Sequence, residues 1–208
     1  DFAAVFYSLR HPEASPVQSL GKRLEAAARG AAEGTGTEVD WEIIHGNHPV
    51  LVNETLQQMM DDVLRQLPAI QYSAADREFA EKIRMTLGST DLTLGSEQEV
   101  QPYSISLGYG STDVGDVSMT VPTVGARIAG FVPGTAGHSW QAVAAGGTMV
   151  GFRGADMAAR ALSSAAIELY TDPALRDAAI EEFEGKRGED FTYEALLGDR
   201  APPLDYRR

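Results

Sequence analysis

The chain has 208 residues, 43% hydrophobic and 23% charged, an ordinary composition for a globular protein with one core, or one domain and part of another. Its 30 acidic side chains against 17 basic ones leave a net charge of −13 with no basic stripe, which argues against nucleic acid and anionic membranes as partners. No apolar run reaches the ~18 residues of a membrane helix, and without cysteine any metal must be held by His, Asp or Glu.

The chain opens on Asp1-Phe2, with no Met and no signal-peptide pattern, and runs straight into an apolar stretch. That is the texture of a chain entered mid-strand, so a fragment of a longer, cytoplasmic protein is expected. Residues Phe2–Leu9 are apolar and aromatic, as a buried strand would be. Ser15 as N-cap and Pro16 at the first helical position predict a helix with Val17, Leu20, Leu24, Ala27 and Ala31 on its inner face and Gly34 as its C-cap. Alternation of Val39, Trp41 and Ile43 over Glu38–Ile44 predicts a second strand. Residues 1–44 thus read as one β-α-β unit, half of a ferredoxin-like split βαβ layer.

The turn-rich run His45-Gly46-Asn47-His48-Pro49 marks a domain boundary. Beyond it Asn53 caps a predicted helix to about Leu67, with Leu56, Met60, Val63 and Leu67 inward, and Ser73 caps another from Ala74 to about Leu87. The polar span from Gly88 to Val100 reads as a loop. Strand-like Tyr103–Leu107 and Gly125–Val132 each lead into a glycine-rich loop. A helix over Ala155–Tyr170, with Ala158, Ala161, Leu162, Ala165 and Leu169 inward, and another over about Pro173–Gly185 close the chain before a proline-containing tail. Strands alternating with helices predict an α/β architecture.

Loops at the carboxyl ends of strands are where an α/β sheet puts its chemistry. The first, from Gly108 to Ser118, carries Asp113 and Asp116 three residues apart, able to share one face of a helical turn. The second, from Pro133 to Trp140, carries His138 among small residues that would let a metal or substrate approach. Each has a plainer reading: Asp113 as a helix cap, Asp116 on a solvated face, His138 as loop polarity, Asn53 as an N-cap. His45 and His48 have H-x-x-H spacing, but Pro49 follows and no helix holds the pair.

Taken together, Gly110-Ser111-Thr112-Asp113-Val114-Gly115-Asp116-Val117-Ser118 and Gly134-Thr135-Ala136-Gly137-His138-Ser139-Trp140 resemble the M20 peptidase family of metal-dependent amidohydrolases. The likeness is nearest to its aminobenzoyl-glutamate hydrolase group. Tyr7-Ser8-Leu9-Arg10-His11-Pro12, Gly34-Thr35-Gly36-Thr37-Glu38-Val39 and the ending Tyr193-Glu194-Ala195-Leu196-Leu197 through Pro202-Pro203-Leu204-Asp205 are similar to that group as well, in the same order.

The resemblance implies that residues 1–46 are the C-terminal half of a lid and dimerisation domain, and residues 47–208 the C-terminal part of a catalytic α/β domain. It implies divalent metal ions, zinc first and manganese or cobalt as alternatives, and cleavage of an N-acyl or aminobenzoyl amino-acid amide by metal-activated water. His138 matches a metal ligand. Asp113 matches a residue that stands behind the metal ligands or positions the substrate, and Ser111, Thr112, Asn53 and Arg10 match substrate contacts. The first metal-binding segment, the bridging ligand and the general base of that family precede the stretch present here, so this chain alone is expected to be inactive. Its expected partners are a small amide substrate, the N-terminal catalytic portion and a second subunit through the lid, as homodimer or heterodimer. The alternative is a non-catalytic module supplying a lid half and a dimer surface to a partner.

Overall fold

A computed structural model describes residues 2–108, 110–197, 201 and 204. Tyr109 of the first glycine-rich loop and Pro202, Pro203 and Asp205 of the C-terminal resemblance lie outside them. Among the described residues seven α-helices follow in order: α1 (Ala14–Thr35), α2 (Glu54–Gln66), α3 (Ala74–Arg84), α4 (Val114–Ser118), α5 (Trp140–Gly146), α6 (Met149–Thr171) and α7 (Pro173–Arg187), with a 3-10 turn at Ser96–Gln98. They fall into two compact units. One comprises Asp1–Leu51, Ser106–Val121 and Glu184–Arg208, the other Val52–Ile105 and Pro122–Phe183.

No β-strand forms among the described residues, which overturns the expected α/β class and its β-α-β half. The four segments read as strands, 2–9, 38–44, 103–107 and 125–132, belong to no ladder. Apolarity and alternation say which face of a strand would be buried, but a strand exists only when a neighbour takes its N–H and C=O groups. The first segment is not even buried: Phe2 is 92% exposed and Phe6 81%. Of the four, only the last enters a core, through Val132 with Ile128 and Ala129 beside it.

The helices follow their local signals closely. In α2, Asn53 Oδ1 accepts from Leu56 N–H at 3.0 Å, and Leu56, Met59, Met60 and Val63 are buried. Ser73 opens α3 with a capping box, its hydroxyl accepting from Asp76 N–H while the Asp76 carboxylate accepts from Ser73 N–H at 2.7 Å. The helix stops at Arg84, short of the expected Leu87, in hydrogen-bonded turns at Thr86 and Leu87. On α1 the cap is Glu13 rather than Ser15, and the helix runs through Gly34 to end at Gly36, which takes the left-handed conformation (φ 68°). Leu20 there, like Leu162 of α6, is exposed rather than inward.

The second unit has two cores. Leu56, Met59, Met60 and Val63 of α2 pack with Ala161 and Ala165 of α6 and Ala179 of α7. Ile70, Tyr72, Ala80 and Ile83 pack with Val132, Ala145 and Val150. Alanines on α6 let the helices approach closely, and Gly154 lies against the Ala129–Gly130 backbone, where a Cβ would meet Gly130 Cα at 2.7 Å.

Candidate functional site

In the first unit the segment from Gly110 through α4 divides into an outward loop and an inward helical turn. Gly115 sits under the His48 carbonyl, leaving no room for a side chain. Ser118, fully buried, accepts from Leu51 N–H at 2.8 Å and donates to Gly115 O at 2.7 Å. Asp116 accepts from His48 N–H at 3.3 Å and from the Tyr193 hydroxyl at 3.0 Å. That last bond, the largest influence on Tyr193, raises its pKa by favouring the protonated phenol. The His48 ring bonds the Glu194 carbonyl through Nε2 at 2.9 Å and lies 5.5 Å from the Tyr193 ring and 6.2 Å from that of Phe191. Three distant stretches are thus clasped together. Sequence reasoning read Asp116 either as sharing a chemical face with Asp113 or as lying on a solvated face, and missed this role because its partners are 68 and 77 residues away.

The outward loop is exposed: Ser111, Thr112 and Asp113. Thr112 Oγ1 accepts from Val114 N–H at 3.3 Å. Asp113 stands at the N-cap position of α4, yet its side chain makes no capping bond, so the carboxylate is left facing outward. Arg10, in the same unit, is exposed.

The second unit holds His138. It is exposed and has φ 57°, the one non-glycine left-handed residue among those described. The next residue fixes the turn: Ser139 Oγ donates to Ala136 O at 2.7 Å and accepts from Ala142 N–H at 3.2 Å to cap α5. The loop rests on α3, where Arg84 Nη1 donates to Pro133 O at 3.1 Å and Nη2 to Thr90 O at 3.4 Å. Gly134 (φ 89°) fits against Thr90, where a Cβ would come within 2.6 Å of the threonine methyl. Thr135 Oγ1 is buried there without a partner. A left-handed histidine costs roughly 1 kcal/mol, and such strain persists only where surrounding bonds impose it.

Asn53, 2% exposed, is engaged at both ends: Oδ1 at the start of α2 and Nδ2 donating to Ala179 O at 2.8 Å. It anchors α2 to α7. Nearby, the Glu182 carboxylate accepts from Glu54 and Thr55 N–H at 2.6 and 2.8 Å, meeting the donors that the helix start leaves open.

A buried polar group that the sequence did not signal surrounds Tyr72. Burial would raise the pKa of Asp76, but bonds from Ser73 N–H, the Ser73 hydroxyl and Arg153 Nε (2.8 Å) outweigh it and hold the carboxyl below its ordinary range. Burial, reinforced by the Glu97 and Asp76 charges, pushes the Tyr72 phenol up to about 12. Neither Tyr72 OH nor Glu97 Oε1 has a partner, and both are buried.

No group of three or more His, Asp or Glu able to hold a metal occurs among the described residues. His45 is exposed, and the His48 ring is taken up by the Glu194 carbonyl and its aromatic neighbours. The donor set of the described residues therefore does not by itself fit a catalytic zinc, which needs about three protein ligands and an open position.

The chain is similar to a subunit of the p-aminobenzoyl-glutamate hydrolase of Escherichia coli (strain K12), at 29% identity over 207 aligned positions spanning 88% of this chain and 43% of that protein. It is also similar to Xaa-Arg dipeptidase of Mus musculus, at 28% identity over 192 positions, 91% of this chain and 38% of that one. The chain thus spans about two fifths of the length of the curated relatives it matches. No family model matches the chain, and no solved structure matches it. Among the described residues no helix is long and apolar enough to cross a membrane.

Proposed function

We propose that this chain is the C-terminal portion of a metal-dependent amidohydrolase of the M20 type, cleaving the amide bond of an N-acyl or aminobenzoyl amino acid. The observation that carries the reading is similarity over about nine tenths of the chain to two proteins named as a hydrolase and a dipeptidase. His138 is the metal ligand this portion contributes. Its side chain is exposed on a turn whose backbone Ser139 and Arg84 support, open to an ion. Its imidazole suits zinc, with manganese or cobalt as substitutes. The other ligands and the general base are supplied by polypeptide other than this chain.

The hydroxyls of Ser111 and Thr112 and the outward carboxylate of Asp113 are suited to positioning a substrate by hydrogen bonds. The guanidinium of Arg10 suits a substrate carboxylate through its paired N–H groups. The test is cobalt titration of this chain followed by NMR, with hydrolysis of N-acyl amino acids measured alongside. Line broadening should centre on residues 136–140 and vanish in His138→Ala, and turnover by the chain alone should be absent. Steady hydrolysis by this chain alone, or broadening indifferent to His138→Ala, would overturn the assignment.

The exposure of Phe2, Val5 and Phe6, and of Phe152, Leu162 and Tyr170 on α6, favours a second reading, a non-catalytic module or subunit that covers these faces with a partner. Dimerisation through residues 1–46, with itself or another chain, belongs to that reading and is checked by sedimentation equilibrium with and without those residues.

A further inference from the structure

The second unit contains a groove, with a cavity of about 430 Å³, along one face of α2 from Thr55 to Gln66, closed on its far side by Glu168 of α6 and Leu175 of α7. At 1.5 Å per residue that face is about 16 Å long, the reach of a short peptide rather than of a single small amine. Its floor is apolar: Met59 and Val63 are buried core residues and Leu175 packs against the same core. Two carboxylates, Asp62 of α2 and Glu168 of α6, line it together with the amides of Gln58 and Gln66.

Nothing that lines the groove balances its two carboxylates. No Lys or Arg is among the residues that line it. Arg65, on the same helix, is bound by Asp61 at 2.8 Å and feels the Asp62 charge only through space, and Arg176 of α7 donates to Leu169 O at 2.5 Å. Neither Asp62 nor Glu168 has an ion-pair partner among the described residues. The walls are tied together by bonds that do not involve the groove's own polar groups: Asn53 to Ala179, and Glu182 to the first turn of α2. The backbone frame of α2 and α7 is therefore set before binding, and only the lining side chains need ordering. A net charge of −13 makes a second copy of this chain a poor occupant.

We propose that this groove binds a basic segment of a partner protein, whose arginine or lysine stems lie on Met59, Val63 and Leu175 while their charged heads meet Asp62 and Glu168. A long cationic side chain satisfies both surfaces at once, which neither an apolar nor an acidic segment can. The inference is independent of the hydrolase reading and stands or falls separately.

The test is fluorescence anisotropy with a fluorescein-labelled octapeptide alternating Leu and Arg, at low salt. Saturable binding is expected, and Asp62→Asn with Glu168→Gln should weaken it at least ten-fold. The pair Asp91→Asn with Glu189→Gln removes the same charge at exposed positions outside the groove and should change affinity less than two-fold. A peptide with Gln in place of Arg should not bind. Equal losses in the two double variants would reduce the effect to general attraction and overturn the proposal, as would the absence of saturable binding.

Discussion

His138 and Gly115 pose opposite problems for a side chain. At His138 the backbone has a conformation glycine would adopt freely, and a histidine stands there. Replacing it by Gly removes the left-handed strain, so His138→Gly should raise stability, or leave it unchanged once the greater unfolded-chain entropy of Gly is counted, within about 1 kcal/mol. The same substitution should abolish cobalt broadening at the turn. Urea denaturation and the metal titration together separate a residue kept for its ring from one kept for its packing. At Gly115 the His48 carbonyl occupies the place of a Cβ. Gly115→Ala should cost about 3 kcal/mol, the upper range for overpacking, and free the clasp. Amide hydrogen exchange at Leu51 should then rise as its bond to Ser118 opens.

At the scale of elements, α3 is the piece on which the most depends. Its capping box begins it, Asp76 within that box pairs with Arg153 of α6, and Arg84 at its end supports the His138 turn. Asp76 has a depressed pKa, so its contribution is present above the ordinary carboxylate range and is lost as pH falls through the lower folded value. Asp76→Asn, which breaks a pair whose carboxylate is buried, should cost roughly 3 kcal/mol at pH 7. It should cost much less near pH 2, as chemical denaturation at the two pH values would show. Tyr72, just before the cap, works in the other direction. Its folded value is pushed up to about 12 from an ordinary 10, so its contribution is present below pH 10 and is lost as pH rises towards 12. Tyr72→Phe should flatten that alkaline decline. It also removes a buried hydroxyl without a partner, so at pH 7 the variant should be no less stable than the parent.

For the molecule as a whole, the two loops singled out by their residues fall in different units, Ser111–Asp113 in one and His138 in the other. Each is prepared in its own way: the first by a clasp that leaves three polar side chains exposed, the second by a strained turn on a helical support. A chain with net charge −13 also repels itself. Raising NaCl from 20 to 200 mM should therefore raise the melting temperature in calorimetry by screening that repulsion.

The sequence by itself determined what is local. Asn53 and Ser73 cap the helices they were expected to cap, and the 3.6-residue period placed Leu56, Met60, Val63, Ala161 and Ala165 in the core. These features rest on bonds within one helical turn and on one apolar face, both legible over a dozen residues. The tertiary structure alone decided the rest. Whether Phe2–Leu9 or Gly125–Val132 becomes a strand depends on a neighbour elsewhere in the chain, and among the described residues none pairs with them. The role of Asp116 depends on Tyr193 and His48, and that of Arg84 on Pro133, 49 residues away. A motif shows which residues stand together along the chain; contacts across 49 to 146 residues decide which of them turn inward as structure and which stay exposed.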